Sequence, residues 1–328
     1  MTINVRALAD GLRSHPAFLS KLAVANAVRS LALTGEGAGK PGDDAAILER
    51  DGGYDLLAGE GFIPEFVARD PWFAGWCGVM VNLSDIAAMG GRAVALIDQV
   101  WAPDGGSAAQ LLQGLKDAAG AYGVPIVGGH TNFSARGLTL AVSVFGRANR
   151  LITSFDARPG DCLIAAIDHR GTYRNFNNFC AALDAPHERL RGDLELLPHL
   201  AEQQLVRAGK DISQAGLVGT ALMLAECSGV GLSLDLPAIG CPEGISLERW
   251  LVSFPSFGFL FSADPATVPE IKALFEERGI SAERIGDVVQ GSRITFKSGT
   301  AAVPFWDHAC APYLALSKSL SKKEPCNA

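Results

Sequence analysis

The sequence predicts a mixed α/β chain of the α+β kind, folded as two domains. Three observations carry this. The length of 328 residues fits about two domains of ordinary size. Apolar strand-like runs and amphipathic helix-like runs are interspersed but do not alternate strictly, which argues against a plain doubly wound sheet. A turn-rich break at residues 149–160, with Asp156 and Arg158-Pro159-Gly160, divides the chain near its middle. The expected division is 1–150, 151–316 and a polar, frayed tail over 317–328.

The elements follow in order. Residues up to about Leu33 read as helical, and a glycine-rich stretch follows from Thr34 to Gly42. Ala45–Glu49 and Tyr54–Ala58, joined by Asp51-Gly52-Gly53, read as a hairpin. Pro71–Met89 reads as a helix stopped by Gly90-Gly91. Arg92–Trp101 is a strand. Gly106–Tyr122 is a helix with Leu111, Leu112, Leu115, Ala118 and Ala119 on one face. Val124–Val127 and Leu138–Phe145 are strands. Past the break, strands are expected at Cys162–Ile167, Leu232–Leu236, Gly258–Ser262, Ile285–Val289 and Arg293–Phe296. Helices are expected at Leu194–Ala208, Leu217–Cys227 and Val268–Arg278.

Composition excludes several classes. Hydrophobic residues are 48% and charged residues 19%, so the chain is not disordered overall. Lys+Arg number 28 against 35 Asp+Glu, a net charge of −7, which argues against a nucleic-acid partner. No apolar run reaches membrane-span length, and the first 21 residues lack a signal-peptide core; no membrane partner and a cytoplasmic location are expected. The seven cysteines form no CxxC pair, so neither a disulfide framework nor a zinc ribbon is expected.

Two motifs mislead. Gly37-Ala38-Gly39-Lys40-Pro41-Gly42 matches GxGxxG, but a dinucleotide site needs a strand before it and a helix after it. Here the order is reversed, so a nicotinamide oxidoreductase has only this decoy in its favour. The same stretch is no P-loop, because Pro41 stands where Ser or Thr would meet magnesium. A glycine loop ahead of acidic residues can still fold over phosphates.

Four segments carry chemistry. Gly42-Asp43-Asp44 places two carboxylates at a strand start, where both serve one metal only at an irregular strand mouth; a solvated turn is the plainer alternative. Asn82 and Asp85 lie three apart on one face of an otherwise apolar helix, where a carboxylate needs a partner. Gly128-Gly129-His130-Thr131 follows a short strand, and paired glycines there admit close approach of a ligand. Lys210-Asp211-Ile212-Ser213-Gln214 precedes a helix that Ser213 or Gln214 can cap, and whose N-terminus suits an anion. In the second half, Asp168-His169-Arg170-Gly171 ends a strand. Arg170 and Arg174 there suit an anionic substrate, with a solvated loop as the alternative.

GDDAAIL, NLSDIAAMGG, GGHT and KDISQAGL, in this order and spacing, resemble the aminoimidazole ribonucleotide synthetase superfamily. Its relatives include thiamine-monophosphate kinase, selenophosphate synthetase and a hydrogenase-maturation dehydratase. The resemblance runs from about Gly42 to Gly291, including Ser228-Gly229-Val230-Gly231 and Ile285-Gly286-Asp287-Val288. It implies a PurM-like fold, with the N-terminal domains of two subunits pairing so that their strands form a barrel. It implies ATP and Mg2+ as cofactors, bound in a cleft near that interface, and transfer of the terminal phosphate to, or activation of, a small polar substrate. By the same resemblance Asp43, Asp44 and Asp85 match metal and phosphate carboxylates, with Glu60 where many relatives have Asp. Lys40, Gly42, Asn82, Gly128, Gly129 and Thr131 belong to the nucleotide side. Asp43, Asp85, His130 and Asp211 belong to the catalytic group, and Arg170, Arg174, Ser213 and Gln214 to the substrate. His130, Gln214 and Ala215 depart from the kinase pattern, no Cys precedes Cys77, and Cys326 is not terminal. These departures point to a divergent branch with a substrate of its own, or to a catalytically weakened nucleotide-binding subunit serving a partner enzyme.

Overall fold

The computed structural model describes residues 3–31, 33, 41–174 and 176–314. The glycine-rich stretch with Lys40, Asn175 and the expected tail with Cys326 lie outside the described residues. By contact the chain forms two compact units. One comprises Asp44–Leu151 and Ala182–Gln203; the other comprises residues up to Asp43, Ile152–Ala181 and everything from Gln204 on. The chain therefore crosses between units at 43/44, 151/152, 181/182 and 203/204.

The first unit is built on a five-stranded sheet. Its spatial order is Ala46–Arg50, Gly53–Gly61, Thr139–Ala148, Arg92–Trp101, Ile126–Asn132. All neighbours are antiparallel except the last pair, which is parallel. The sheet is open in the single chain; the barrel implied by the resemblance is not formed within it. The hairpin forms as its Asp-Gly-Gly turn predicts, with Arg50 opposite Gly53.

The helix Pro71–Ala88 covers one face of this sheet. Its start is specified locally: Pro71 fixes the first helical φ, and the Asp70 side chain accepts from the Phe73 N–H at 3.3 Å. Gly90, at φ +75°, ends it. It is apolar on nearly all sides because it is sandwiched between the sheet and the helix Gly105–Tyr122. The two helices touch backbone to backbone. A Cβ at Gly75 would lie 2.2 Å from the Leu111 carbonyl, and one at Gly114 would lie 1.9 Å from that of Trp72. Leu111, Leu115 and Ala118 of the second helix are buried as predicted, but Leu112 is exposed. The segment Ala182–Gln203 joins this unit through Arg92, which pairs with Glu195 and Glu202, each at 2.8 Å. Arg191 also donates to the Gly120 and Ala121 carbonyls at the end of the second helix.

The other unit is built on a seven-stranded sheet. The order is Ala301–Asp307, Arg293–Ser298, Gly231–Asp235, Ser281–Val289, Cys162–Ile167, Gly258–Ala263, Ala208–Asp211. Cys162–Ile167 and Gly258–Ala263 are buried throughout, matching their unbroken apolar runs. A small sheet, Phe254–Pro255, Asn178–Cys180 and Thr172–Tyr173, adjoins them in sequence. The N-terminal residues form three short helices, Val5–Arg13, Pro16–Lys21 and Val24–Ser30, rather than one long one. Arg13 ties the first to the Pro304 and Phe305 carbonyls, and Phe18 packs against Phe305, Trp306 and Tyr313.

One expectation fails here. The predicted helix Leu194–Ala208 is a helix only over Leu196–Glu202; Gln204 then turns at φ +56°, and Ala208–Asp211 is an edge strand. Cys310 is disulfide-bonded, and Cys77, Cys162, Cys180, Cys227 and Cys241 are free thiols. Among the described residues, no helix is long and apolar enough to cross a membrane.

The glycine contact between the two helices yields a direct test. Gly114→Ala forces a methyl into the Trp72 backbone and should lower unfolding stability by about 1–3 kcal/mol, read from the urea midpoint.

Candidate active site

In the first unit the sequence places polar groups where only apolar ones would otherwise fit. Asn82 is fully buried and Asp85 is 7% exposed on the helix Pro71–Ala88. The Asn82 Nδ2 donates to the Gly78 carbonyl at 2.8 Å. Its Oδ1 is buried without a hydrogen-bond partner. Such an orphaned oxygen is costly and demands an explanation. A carboxylate oxygen of Asp44 lies within 4.8 Å of one of Asp85. Asp44 sits in the irregular segment just before the strand Ala46–Arg50.

The sheet register sorts the remaining residues by face. Val142 packs against the helix, since a Cβ at Gly78 would meet its Cγ2 at 3.0 Å. Asp98 and Glu60 are the direct cross-strand partners of Val142, so both stand on the helix-facing side. Gly129 pairs with Asp98, and a Cβ there would lie 2.5 Å from the Asp98 Oδ1. A side chain at Gly129 would collide with that carboxylate and with the Asp98 carbonyl. Thr131, opposite Val100, shares that side. Gly128 and His130, opposite Ile97 and Gln99, lie on the other face of the sheet. His130 is exposed there and is not brought together with Asp85.

Asp98 is a residue the sequence reading missed. Burial raises its pKa above the ordinary carboxylate value. The available signal was a single carboxylate inside the apolar run Leu96–Val100, and only the register assigns its face.

In the second unit Gly42 adopts φ +119°, a conformation that favours glycine. Its carbonyl accepts from the Lys210 Nζ at 3.1 Å, and the Asp43 Oδ1 accepts from the Ser154 N–H at 2.6 Å. Asp211 is 8% exposed at the end of its edge strand, and its carbonyl accepts from the Thr220 hydroxyl. Neither Ser213 nor Gln214 caps the following helix, Gly216–Ser228. Its N-cap is Ala215 at φ +83°, without a side-chain cap bond, and the Gly216 N–H turns back to the Ser213 carbonyl. Arg170 is committed to Asp168, at 2.7 and 3.0 Å, and to the Arg278 carbonyl. Its guanidinium thus bridges its own loop and the segment after the helix Val268–Glu276. Arg174 is exposed. His169, edge-on to Trp250, has its pKa lowered by burial.

Residues 42–148 match the AIR synthase related protein N-terminal domain, and residues 181–298 match the C-terminal domain of the same family. The chain belongs to the AIR synthase related family. An uncharacterised protein of Synechocystis is 47% identical over 278 residues, covering 84% of this chain and 86% of the relative. The thiamine-monophosphate kinase of Halobacterium salinarum is 29% identical over 258 residues, covering 74% of this chain and 84% of the kinase. The solved structure of T. maritima PurL complexed with ATP superimposes with a TM-score of 0.71 at 17% identity, covering 92% of this chain. The chain spans about half of that PurL, 53% of its length. The fold is PurM-like, as the resemblance implied.

Asp98 supplies a pH test. Its folded pKa is raised, so its contribution to stability is complete below the ordinary carboxylate range and is lost as pH rises through the folded value. Asp98→Asn should therefore melt above the wild type at about pH 7, and the gap should close toward about pH 3.

Proposed function

We propose that this protein is an ATP- and Mg2+-dependent phosphoryl-transfer enzyme acting on a small polar substrate. The observation that carries the reading is the approach of Asp44 to the buried Asp85, one helical turn from the orphaned Asn82 Oδ1. Hard carboxylate and amide oxygens in this setting suit Mg2+, which takes oxygen ligands and keeps several waters. Asp44 and Asp85 would hold the ion, and the Asn82 Oδ1 would accept from a coordinated water or align Asp85. The ion would neutralise charge building on the transferred phosphate, which is most of what such a reaction asks of a protein.

The kinase of Halobacterium salinarum and the ATP complex of PurL support nucleotide use in this family. Asp43 contributes differently from its neighbour, because its Oδ1 already accepts a backbone hydrogen bond. Glu60 and His130 stand outside the Asp44–Asp85 pair and are assigned no step.

We also propose that two copies pair through the uncovered face of the five-stranded sheet. Leu48, Leu57, Ile97 and Trp101 are exposed on that face, and apolar residues grouped on one face suit an interface. Ile97→Glu should turn a dimer into a monomer in light scattering; a monomeric wild type would refute the pairing.

The cofactor reading is tested by thermal unfolding with ATP and Mg2+ together and separately. At a hundredfold excess over the dissociation constant, binding to the native state adds about 2.7 kcal/mol. A rise that needs both ligands and is lost in Asp44→Asn supports the proposal. No rise at millimolar ATP contradicts it.

A further inference from the structure

Lys210 is 5% exposed on the edge strand Ala208–Asp211 of the seven-stranded sheet. Withdrawing an ammonium from water is expensive unless good acceptors receive it. Its Nζ donates to the Gly42 carbonyl at 3.1 Å, and the Cys227 thiol reaches the same oxygen at 3.7 Å. The next residue, Asp43, accepts from the Ser154 N–H at 2.6 Å. Ser154 is itself fixed, its hydroxyl on the Gly209 carbonyl at 3.4 Å and its carbonyl accepting from the Ser228 hydroxyl at 2.7 Å. Gly42 and Asp43 are thus docked onto one strand and one helix of their own unit. The Lys210 ammonium brings a positive charge to these docking contacts.

We propose that Lys210 is a positioning residue that clamps the Gly42 carbonyl and so fixes the start of the Gly42-Asp43-Asp44 segment. Covalent continuity carries that constraint to the next residue, Asp44, a proposed metal ligand. The consequence for metal binding rests on that reading; the clamp does not. A hydrogen bond to a charged donor is stronger than a neutral one, and it is directional where a packed methylene chain is not. A lysine kept only for the packing of its stem would be replaceable by methionine at little cost.

The test is amide hydrogen exchange on metal-free wild type and Lys210→Met. The Ser154 N–H reports the docking, because its acceptor is the Asp43 side chain. The Gly209 N–H, on the Thr153 carbonyl, and the Ile212 N–H, on the Gly258 carbonyl, report the strand itself. Lys210→Met should speed Ser154 exchange by about tenfold or more, with Gly209 and Ile212 unchanged. Unchanged Ser154 exchange overturns the proposal, as does equal acceleration at all three sites, which makes Lys210 a core residue only. In the wild type, the Lys210 ammonium protons should exchange slowly enough to be seen by nitrogen-correlated NMR. Rapid exchange overturns the clamp even if the variant does not fold. A titration with Mg2+ and ATP then reads the consequence: Lys210→Met should bind about tenfold more weakly. A wild type that binds neither refutes the assigned cofactors, while the exchange result still decides the clamp.

Discussion

Everything at the candidate site depends on the burial of one helix. Pro71–Ala88 is pressed between a sheet and a second helix so closely that Gly75 and Gly114 cannot carry side chains. In that setting each polar group must be matched, because water is not there to compensate. Asp85 and Asn82 are the exceptions the sequence tolerates in a helix that is otherwise apolar. A buried carboxylate near a second carboxylate, beside an unpartnered amide oxygen, is poor design for stability and good design for a cation. The flanking sheet extends the pattern, with Asp98 and Glu60 on the helix-facing side and Asp98 raised in pKa by burial.

The Gly42-Asp43-Asp44 segment divides its labour at the crossing between compact units. Gly42 and Asp43 are docked by Lys210 and Ser154, whereas Asp44 approaches Asp85. Two adjacent carboxylates therefore play different parts, one as a backbone acceptor and one as a candidate ligand. Adjacent residues of an extended chain point apart, so a shared role would have been the harder arrangement to build.

Much of this was legible in the sequence, for identifiable reasons. The helix from Pro71 was specified by a capping aspartate, a proline at the first position and a glycine stop. The strand Arg92–Trp101 and the hairpin after Asp43-Asp44 were specified by apolar runs and turn residues. The ordered motifs named the family. What was not legible depended on conformations or pairings that no local pattern encodes. Gln204 in a left-handed conformation converts an expected helix into a turn and an edge strand, and that strand carries Lys210. Ala215, also left-handed, removes the caps expected of Ser213 and Gln214. His130 lies on the face of the sheet opposite to Gly129 and Thr131, because strand register alternates sides at every residue. Asp98 was invisible for the same reason.

The proposed function requires Asp44 and Asp85 together to bind a divalent cation that carries ATP. Electron paramagnetic resonance of Mn2+, as a spectroscopic substitute for Mg2+, tests it without reference to any substrate. The account predicts that wild-type protein with ATP depletes the free Mn2+ signal, and that Asp85→Asn leaves it near the level set by ATP alone. Equal depletion by wild type and Asp85→Asn would contradict it.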